Sequence, residues 1–526
     1  MKVLFVYPNH KGMNMLPPGV ALLSACLKRE GYNVKLFDTT YYHNIEKDGE
    51  KVTQIDSDYS KVDKLGARPY EMPKHIVTVK YTNVFEDFRK QVEEFAPDLL
   101  ALSCTEDMFR LGCLLLKTVE DLKILTVAGG VFATFAPRLI LENYPIINLV
   151  CKGEGEYTLI ELCKRLEQGK SYDDIGNLWI RKSNGRIIGN PTSMVNMDEN
   201  PLIDMSLFEE ARFYRPMGGK VYRMFPVETH RGCPYKCAYC TSPAQTELYK
   251  TDSGQNYLRR KSFDSMRKEL LYYKNEMKAE YLYFWADTFF SWTRKDFEEF
   301  YDLYQEIKLP FWCQTRPETI TTERVKKLKD MGCARISFGV EHGNEEFRSK
   351  YLKRRMPNEV ITKGLNTVAK GGVPFSVNNV IGFPYETRKL ALETVRLNKT
   401  FHADDRNAYP FTPYNGIALR KLCEQLGLIK KTDIVESMVP NGSLLDMPQF
   451  SRKEVHSLCK TFNMYVKFPE ERWGEIRKAE EDSKEGRKKY AALKKEFIEE
   501  FWNNDPHSQT SFEKSAEELD PFALGY

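Results

Sequence analysis

The stretch His230-Arg231-Gly232-Cys233-Pro234-Tyr235-Lys236-Cys237-Ala238-Tyr239-Cys240 places three cysteines in a C-x3-C-x2-C spacing. Three thiolates can ligate three irons of a 4Fe-4S cluster, and because the run supplies no fourth cysteine, one iron is left open to hold a substrate. Zinc sites usually take four ligands in paired C-x2-4-C units, and no second pair of that kind occurs in the sequence. Chance clustering is open to a chain with 12 cysteines, but it leaves the flanking Gly232 and Tyr239 unexplained. Ligand counting therefore favours an iron-sulfur site at Cys233, Cys237 and Cys240 over zinc or chance.

The run follows an apolar segment, Phe225 to Thr229, that begins a strand and helix rhythm. Further strands are expected at Tyr281 to Trp285, Phe311 to Thr315, Arg335 to Val340, Phe375 to Ile381 and Asn407 to Phe411. Helical patterns fall between them at Ser262 to Met277, Lys295 to Ile307, Thr322 to Met331, Asn358 to Lys370 and Lys389 to Phe401. Six β/α units predict a (β/α)6 partial barrel over 225–425, whose chemistry lies at the strands' carboxyl ends. The cysteine run sits where that rule requires.

Residues 1–190 alternate short apolar strands (Val3 to Val6, Val34 to Phe37, Leu99 to Leu102, Ile124 to Val127, Leu149 to Cys151) with helical stretches such as Val20 to Arg29. This predicts an α/β, doubly wound parallel sheet with its ligand beyond the strands' carboxyl ends. The loops there are Pro8 to Pro18, Ser103 to Asp107, Gly129 to Thr134 and Gly153 to Glu156. None fits G-x-G-x-x-G, so no nicotinamide or flavin dinucleotide is indicated.

An insertion from Tyr41 to Val84, rich in Lys, Asp and Tyr, reads as a solvated surface excursion or a functional lid. A hairpin is expected at Leu178 to Ile188, turning on Asn184-Gly185, and 191–224 reads as the interdomain linker. The remaining 426–526 form a helical region after a turn at Met438 to Gly442. Tyr490, Leu493, Phe497 and Phe501 give one stretch there an apolar face.

At 526 residues the chain exceeds one core. The balance of 78 basic against 74 acidic residues gives no electrostatic case for nucleic acid or an anionic membrane. No apolar stretch reaches about 18 residues, and the N-terminus reads as a strand rather than a signal peptide, so a cytoplasmic protein without a disulfide framework is expected.

Gly-Cys-Pro-Tyr-Lys-Cys-Ala-Tyr-Cys resembles the cluster loop of the radical S-adenosylmethionine (radical SAM) superfamily. Later segments resemble the same family: Trp285 to Phe290, Ile336 to Gly343, Val380 to Thr387 and Phe411 to Gly416. Ala286 and His342 depart from its usual acid and serine. In residues 1–190, Pro17-Pro18-Gly19, Leu102-Ser103, Gly129 to Pro137 and Gly-Glu-Gly-Glu (153–156) resemble the Rossmann-like cobalamin-binding domain that precedes many radical SAM cores. The Asp-x-His-x-x-Gly motif is absent, so the resemblance implies cobalamin held without a protein histidine on cobalt.

The resemblance implies that Cys233, Cys237 and Cys240 ligate a 4Fe-4S cluster, that Tyr239 lies beside the adenine of SAM, that Glu341 faces its ribose, and that Ile381 and Gly382 shape the adenine pocket. Asn378 joins this set, while Ser103, Thr105, Gly129, Gly130, Gly153 and Glu154 are the cobalamin-side candidates. Asp287, Arg316, Tyr409 and Tyr414, near expected strand ends, are candidates to hold substrate, although each could equally satisfy a local hydrogen bond. The implied activity is a cobalamin-dependent C-methyltransferase that consumes two SAM molecules per methylation. It would draw electrons from an external donor such as flavodoxin or ferredoxin and act on a small molecule or lipid, with a peptide possible. The alternatives are a cyclase or rearrangement enzyme with the same cofactors, or a non-catalytic cobalamin or metal sensor.

Overall fold

The computed structural model describes residues 1–503 except 44, 48, 54–56, 71, 74 and 437–442. The turn expected at Met438 to Gly442 lies outside the described residues. In chain order the first part gives β1 (Lys2–Tyr7), β2 (Asn33–Asp38), a short hairpin of β3 (Ile45–Lys47) and β4 (Glu50–Thr53), then β5 (Leu99–Ser103), β6 (Leu125–Gly129), β7 (Leu149–Cys151), β8 (Leu178–Arg181) and β9 (Ile187–Gly189). Seven of these form one sheet in the order β2-β1-β5-β6-β7-β8-β9, parallel up to β7 and antiparallel thereafter. Val3 to Val6 are buried without alternation, as a strand covered by helices on both faces demands. The chain steps from β1 outward to β2 and returns to β5 on the other side, so the crevice forms between the loops after β1 and β5.

The second sheet contains β10 (Tyr214–Met217), β11 (Lys220–Val227), β14 (Tyr281–Phe284), β15 (Phe311–Thr315), β16 (Cys333–Glu341), β17 (Phe375–Ile381) and β18 (Asp405–Pro410), in that order. A separate two-stranded ribbon pairs β12 (His230–Arg231) with β13 (Arg259–Arg260). From β11 onward the pairing in the larger sheet is parallel, giving six β/α units, and β10 adds an antiparallel edge. Because β10 and β18 stand at opposite ends of the order, the barrel is partial. Its sheet begins at Tyr214 rather than Phe225, since β10 and β11 form a hairpin. The linker before it straddles both domains: Asp204 accepts from Ser24 Oγ (2.6 Å) and pairs with Lys28 (2.7 Å), while Asp198 accepts from Ser262 N (2.8 Å).

The free edge of β18 is covered from two directions. Helix Arg452–Lys467 lies against it, with Asn463 Nδ2 donating to Arg406 O (2.9 Å). The 41–84 insertion does the rest, so the expectation of a solvated excursion fails. Leu65 is buried in the same core as Leu493, Phe497 and Trp502, Tyr490 donates to Asp63 O (2.5 Å), and Lys494 pairs with the Asp63 carboxylate (2.8 Å). Asn463 Nδ2 also donates to Lys64 O (3.3 Å) and Arg68 Nη1 to Trp502 O (3.1 Å), so backbone and charged groups of the insertion share in the seat. The terminal helix Lys484–Phe497 buries Tyr490, Leu493 and Phe497 at the expected periodicity. Among the described residues no helix is long and apolar enough to cross a membrane.

Candidate functional site

Beyond β11 the chain makes the β12–β13 ribbon and turns into the cysteine loop. Gly232 has φ +93°, and a Cβ there would stand 2.9 Å from the Leu258 backbone, so only glycine lets the loop lie against this segment. Ala238 pins the loop by its backbone, donating to Leu352 O (3.0 Å) and accepting from Leu419 N (3.0 Å). Two sulfurs meet donors: Arg316 Nη1 lies 3.2 Å from Cys237 Sγ, and Ser242 N lies 3.4 Å from Cys240 Sγ. Such donors favour thiolate ligands. Without a metal, burial pushes the Cys233 thiol up to about 11 and that of Cys240 up to about 12. Among the described residues no three His, Cys, Asp or Glu side chains are grouped closely enough to hold a single metal ion.

Asp287 accepts from Ser242 Oγ (2.9 Å) at the same place. It opens on the cleft yet is hemmed in by protein, and that burial raises its carboxyl despite the Ser242 bond. Arg316 stacks over Tyr235 at 3.7 Å as well as facing Cys237. Its guanidinium also pairs with Glu318 (2.5 Å), so this candidate for holding substrate stands beside the cysteine loop.

Tyr239 and Glu341 come together through Arg354, whose Nη1 donates to Tyr239 Oη (3.1 Å) and stands 3.9 Å from Glu341 Oε1, and whose Nη2 donates to Gly339 O. Burial raises both the Tyr239 hydroxyl and the Glu341 carboxyl, the latter against Arg354. Glu341 has φ +69° at a register shift between β16 and β17, a strained conformation of the kind that concentrates at ligand sites. The next residue, His342, is fully buried: Nδ1 accepts from Asn344 N (3.0 Å), so Nε2 carries the proton, 3.3 Å from Glu386 Oε1. Glu386 Oε2 in turn accepts from Gly382 N (2.6 Å) and Phe383 N (2.8 Å), fixing the turn after β17.

Asn378 lies on the barrel's inner face, donating to Ser337 Oγ (3.0 Å) and accepting from Asn407 Nδ2 (3.1 Å). Tyr409, two residues beyond Asn407 in the same strand, shares that face and is half-buried. Ile381 alternates outward into the core with Phe383 and Phe411, so its backbone, not its side chain, is what a ligand could meet.

At the edge of the first sheet, Ser103 ends β5 opposite Gly129 at the end of β6. Thr105 is exposed, Gly130 carries φ +111°, and a Cβ on Gly129 would meet nothing within 4 Å. His10, buried in the loop after β1, has Nε2 3.9 Å from Asp107. Glu106, almost wholly buried, reaches across to the barrel: it accepts from Asn415 N (2.8 Å), Asn415 Nδ2 (2.9 Å) and Val435 N (2.9 Å). Burial raises its carboxyl against those bonds. Tyr414, beside Asn415, is half-buried near Asp107 and Glu106, and burial with those charges raises its hydroxyl.

Gly153 and Glu154 are not part of this open edge. A Cβ on Gly153, at φ +92°, would stand 2.5 Å from Tyr249 Oη. The Glu154 carboxylate is taken by Arg231 (2.8 Å), Arg259 (2.5 Å) and Val195 N (2.8 Å). Burial opposes ionisation there, but the two guanidiniums hold the carboxyl below its ordinary value. Arg231 also pairs with Glu156 (2.8 Å) and Glu228 (3.1 Å). The Gly-Glu-Gly-Glu segment is thus a clamp between domains. Arg231, Arg354 and Glu106 had no signal in the sequence; Arg354 sits in a basic run that reads as solvated.

Residues 227–397 match the family description "Radical SAM superfamily". An uncharacterized methyltransferase of Pyrococcus horikoshii is 27% identical over 343 residues, covering 64% of this chain and 71% of that protein. An anaerobic magnesium-protoporphyrin IX monomethyl ester cyclase of Rubrivivax gelatinosus is 23% identical over 436 residues, 79% of this chain and 68% of that protein. Among solved structures, the cobalamin-dependent S-adenosylmethionine radical enzyme OxsB, with aqua-cobalamin and S-adenosylmethionine bound, superposes with a TM-score of 0.63 at 16% identity, covering 94% of this chain and 70% of that one. That likeness establishes a shared fold: a parallel Rossmann-like sheet followed by a partial barrel.

Proposed function

The chain belongs to the radical SAM superfamily, and from that premise we propose that it is a cobalamin-dependent C-methyltransferase. The observation that carries this reading is the meeting of the two sheets at their carboxyl ends. Glu106, next to Thr105 beyond β5, is bonded to Asn415, just past β18. The cysteine loop and the Ser103, Thr105 and Gly129 edge therefore belong to one mouth.

The residues present fit the groups this function needs. Cys233, Cys237 and Cys240 would hold the cluster, Tyr239 and Glu341 would face SAM, and cobalamin would rest on the Gly129 edge with Ser103 and Thr105. When bound, these groups supply reductive SAM cleavage, hydrogen abstraction from an unactivated carbon, and a transferable methyl. The chain's own part is positioning. Arg316 and Ser242 N support the thiolates, and Arg354 holds Tyr239 and Glu341 in one arrangement. Glu386 fixes the Gly382 turn, and the Glu106 and Glu154 contacts keep the two sheets in register. Uncharged donors and acceptors at Ser337, Asn378 and Asn407 suit a small molecule or lipid carrying neutral polar groups.

The test is anaerobic turnover with reconstituted cluster, cobalamin, a reductant and methyl-labelled SAM, following 5′-deoxyadenosine and S-adenosylhomocysteine. Both products, with deoxyadenosine lost in Cys237→Ala, are expected; neither product would overturn the reading. A second reading, a cyclase with the same cofactors, is favoured by alignments to cyclases that run over 79% and 85% of this chain. A product without added methyl mass would select it.

A further inference from the structure

Arg215 stands on the inner face of the barrel without an acid to meet it. It lies in β10 opposite Tyr222, and residues directly opposite in an antiparallel pair share a face. Tyr222 packs inside the barrel against Tyr281, with 5.1 Å between ring centres. The Arg215 guanidinium is carried 4.3 Å above the ring of Tyr283, which stacks in turn on Trp312 at 4.4 Å and 7°. Two stacked rings therefore support the cation from beneath. Its Nη1 is buried with no hydrogen-bond partner, and the side chain enters no ion pair among the described residues. Neighbouring arginines are engaged: Arg212 pairs with Asp38 (3.1 Å) and donates to Met13 O (3.0 Å) and Met15 O (2.8 Å), while Arg335 pairs with Asp405 (2.7 Å).

The surroundings put Arg215 in the space a substrate would use. β10 covers β11 only as far as Arg223, and the loop after β1 closes the gap beyond: Asn14, Met15 and Leu16 line a cleft of about 10 Å³ with Arg215, Met224 and Tyr283. A space of that size takes one water or the terminal atoms of a ligand, not a ring. Tyr283 lies four residues before Asp287, at most ~14 Å of chain, and Asp287 accepts from Ser242 beside the cysteine loop. A guanidinium nitrogen kept from water without an acceptor costs free energy. A planar fork stacked on an aromatic ring is also the form in which arginine receives a carboxylate or phosphate. We propose that Arg215 binds an acid group of the substrate, so that the molecule acted on is an organic carboxylate or phosphate whose charged end lies at the level of Tyr283. The inference rests on the proposed function and adds one charged contact to the neutral ones at Ser337, Asn378 and Asn407. Such a contact selects strongly, because a neutral analogue leaves the cation unpaired.

The experiment titrates the full chain, by calorimetry, with phenylalkanoates from phenylacetate to phenylhexanoate, with phenyl phosphate, and with the amides that match the carboxylates. The native chain should bind the acids at least ~10-fold more tightly than the amides. Arg215→Met keeps an apolar stem over Tyr283 and removes the charge; it should erase that preference by weakening the acids alone. Arg215→Lys should recover part of it. Should Arg215→Met fail to fold, as read by circular dichroism, the acid-to-amide ratios of the native chain and of Arg215→Lys still decide. A preference for phenyl phosphate over the carboxylates would support the proposal as a phosphate site, and the reverse order would support it as a carboxylate site. Equal affinity for acid and amide in the native chain, no acid bound at ~10 mM, or acid affinity in Arg215→Met within ~2-fold of native would overturn it. SAM cleavage by the native chain is measured separately: its absence would sink the proposed function while the titrations still decide Arg215.

Discussion

Replacing Glu154 by glutamine separates a structural clamp from a ligand contact. The native carboxylate is 8% exposed and lies between Arg231 and Arg259, with Val195 N donating to it. Glutamine keeps the shape and one acceptor but removes the charge. Arg231 retains Glu156 and Glu228, whereas Arg259 loses its carboxylate. Breaking a buried, hydrogen-bonded pair costs ~3–5 kcal/mol. At ~2–4 °C per kcal/mol for a domain of this size, the first domain's transition in scanning calorimetry should fall by roughly 6–20 °C. The pH dependence supplies a second check. Glu154 has its folded pKa below the ordinary 4.5, so its contribution is complete above that value and lost as pH falls through the folded pKa. The gap between native and variant should therefore be widest near neutrality and close below about pH 4.5. In a double-mutant cycle, adding Arg259→Met should cost less than the two single changes summed. A transition lowered by less than ~1 kcal/mol, together with lost cobalamin retention, would refute the clamp and return Glu154 to the ligand.

Other outcomes follow from the same geometry. His342→Ser should leave Glu386 Oε1 facing a void and weaken SAM binding by ~1–3 kcal/mol, read as a 5- to 150-fold rise in Kd by equilibrium dialysis, while His342→Gln should recover part of it. Gly382→Ala forces a side chain into φ +90° and sets Cβ 2.8 Å from Val455 Cγ1. It should cost ~1–3 kcal/mol of thermal stability, of which Val455→Ala restores the steric share. Cys237→Ala should abolish stoichiometric iron retention and deoxyadenosine formation while leaving the circular dichroism spectrum intact.

How far the sequence could be read depended on the range of each signal. The cysteine spacing, the strand and helix alternation and the Val380 to Thr387 segment are local, and each names its own element. Strand ends moved by a few residues, as with β18 at Asp405–Pro410 against the expected Asn407 to Phe411. The partners of Glu106 and Glu154 could not be found this way, because Asn415 lies 309 residues from Glu106 and Arg259 lies 105 from Glu154. A carboxylate in a glycine-rich loop looks the same whether it faces a ligand or a distant arginine. Likewise, composition over 41–84 could not reveal that Leu65 alone would reach a core built by the last helices.

That long-range seat has a consequence for biosynthesis. Asp63 leaves the ribosome 427 residues before Tyr490, the residue that donates to Asp63 O, and Leu65 follows close behind Asp63. Until then Leu65 forgoes part of the ~1.5–3 kcal/mol its burial is worth, and until helix Arg452–Lys467 emerges the edge of β18 stays open to pairing with another chain. Helix Lys484–Phe497 follows and completes the core around Leu65. A chain cut short before it would lose not a dispensable tail but the clasp that finishes folding, and should accumulate as an aggregation-prone intermediate.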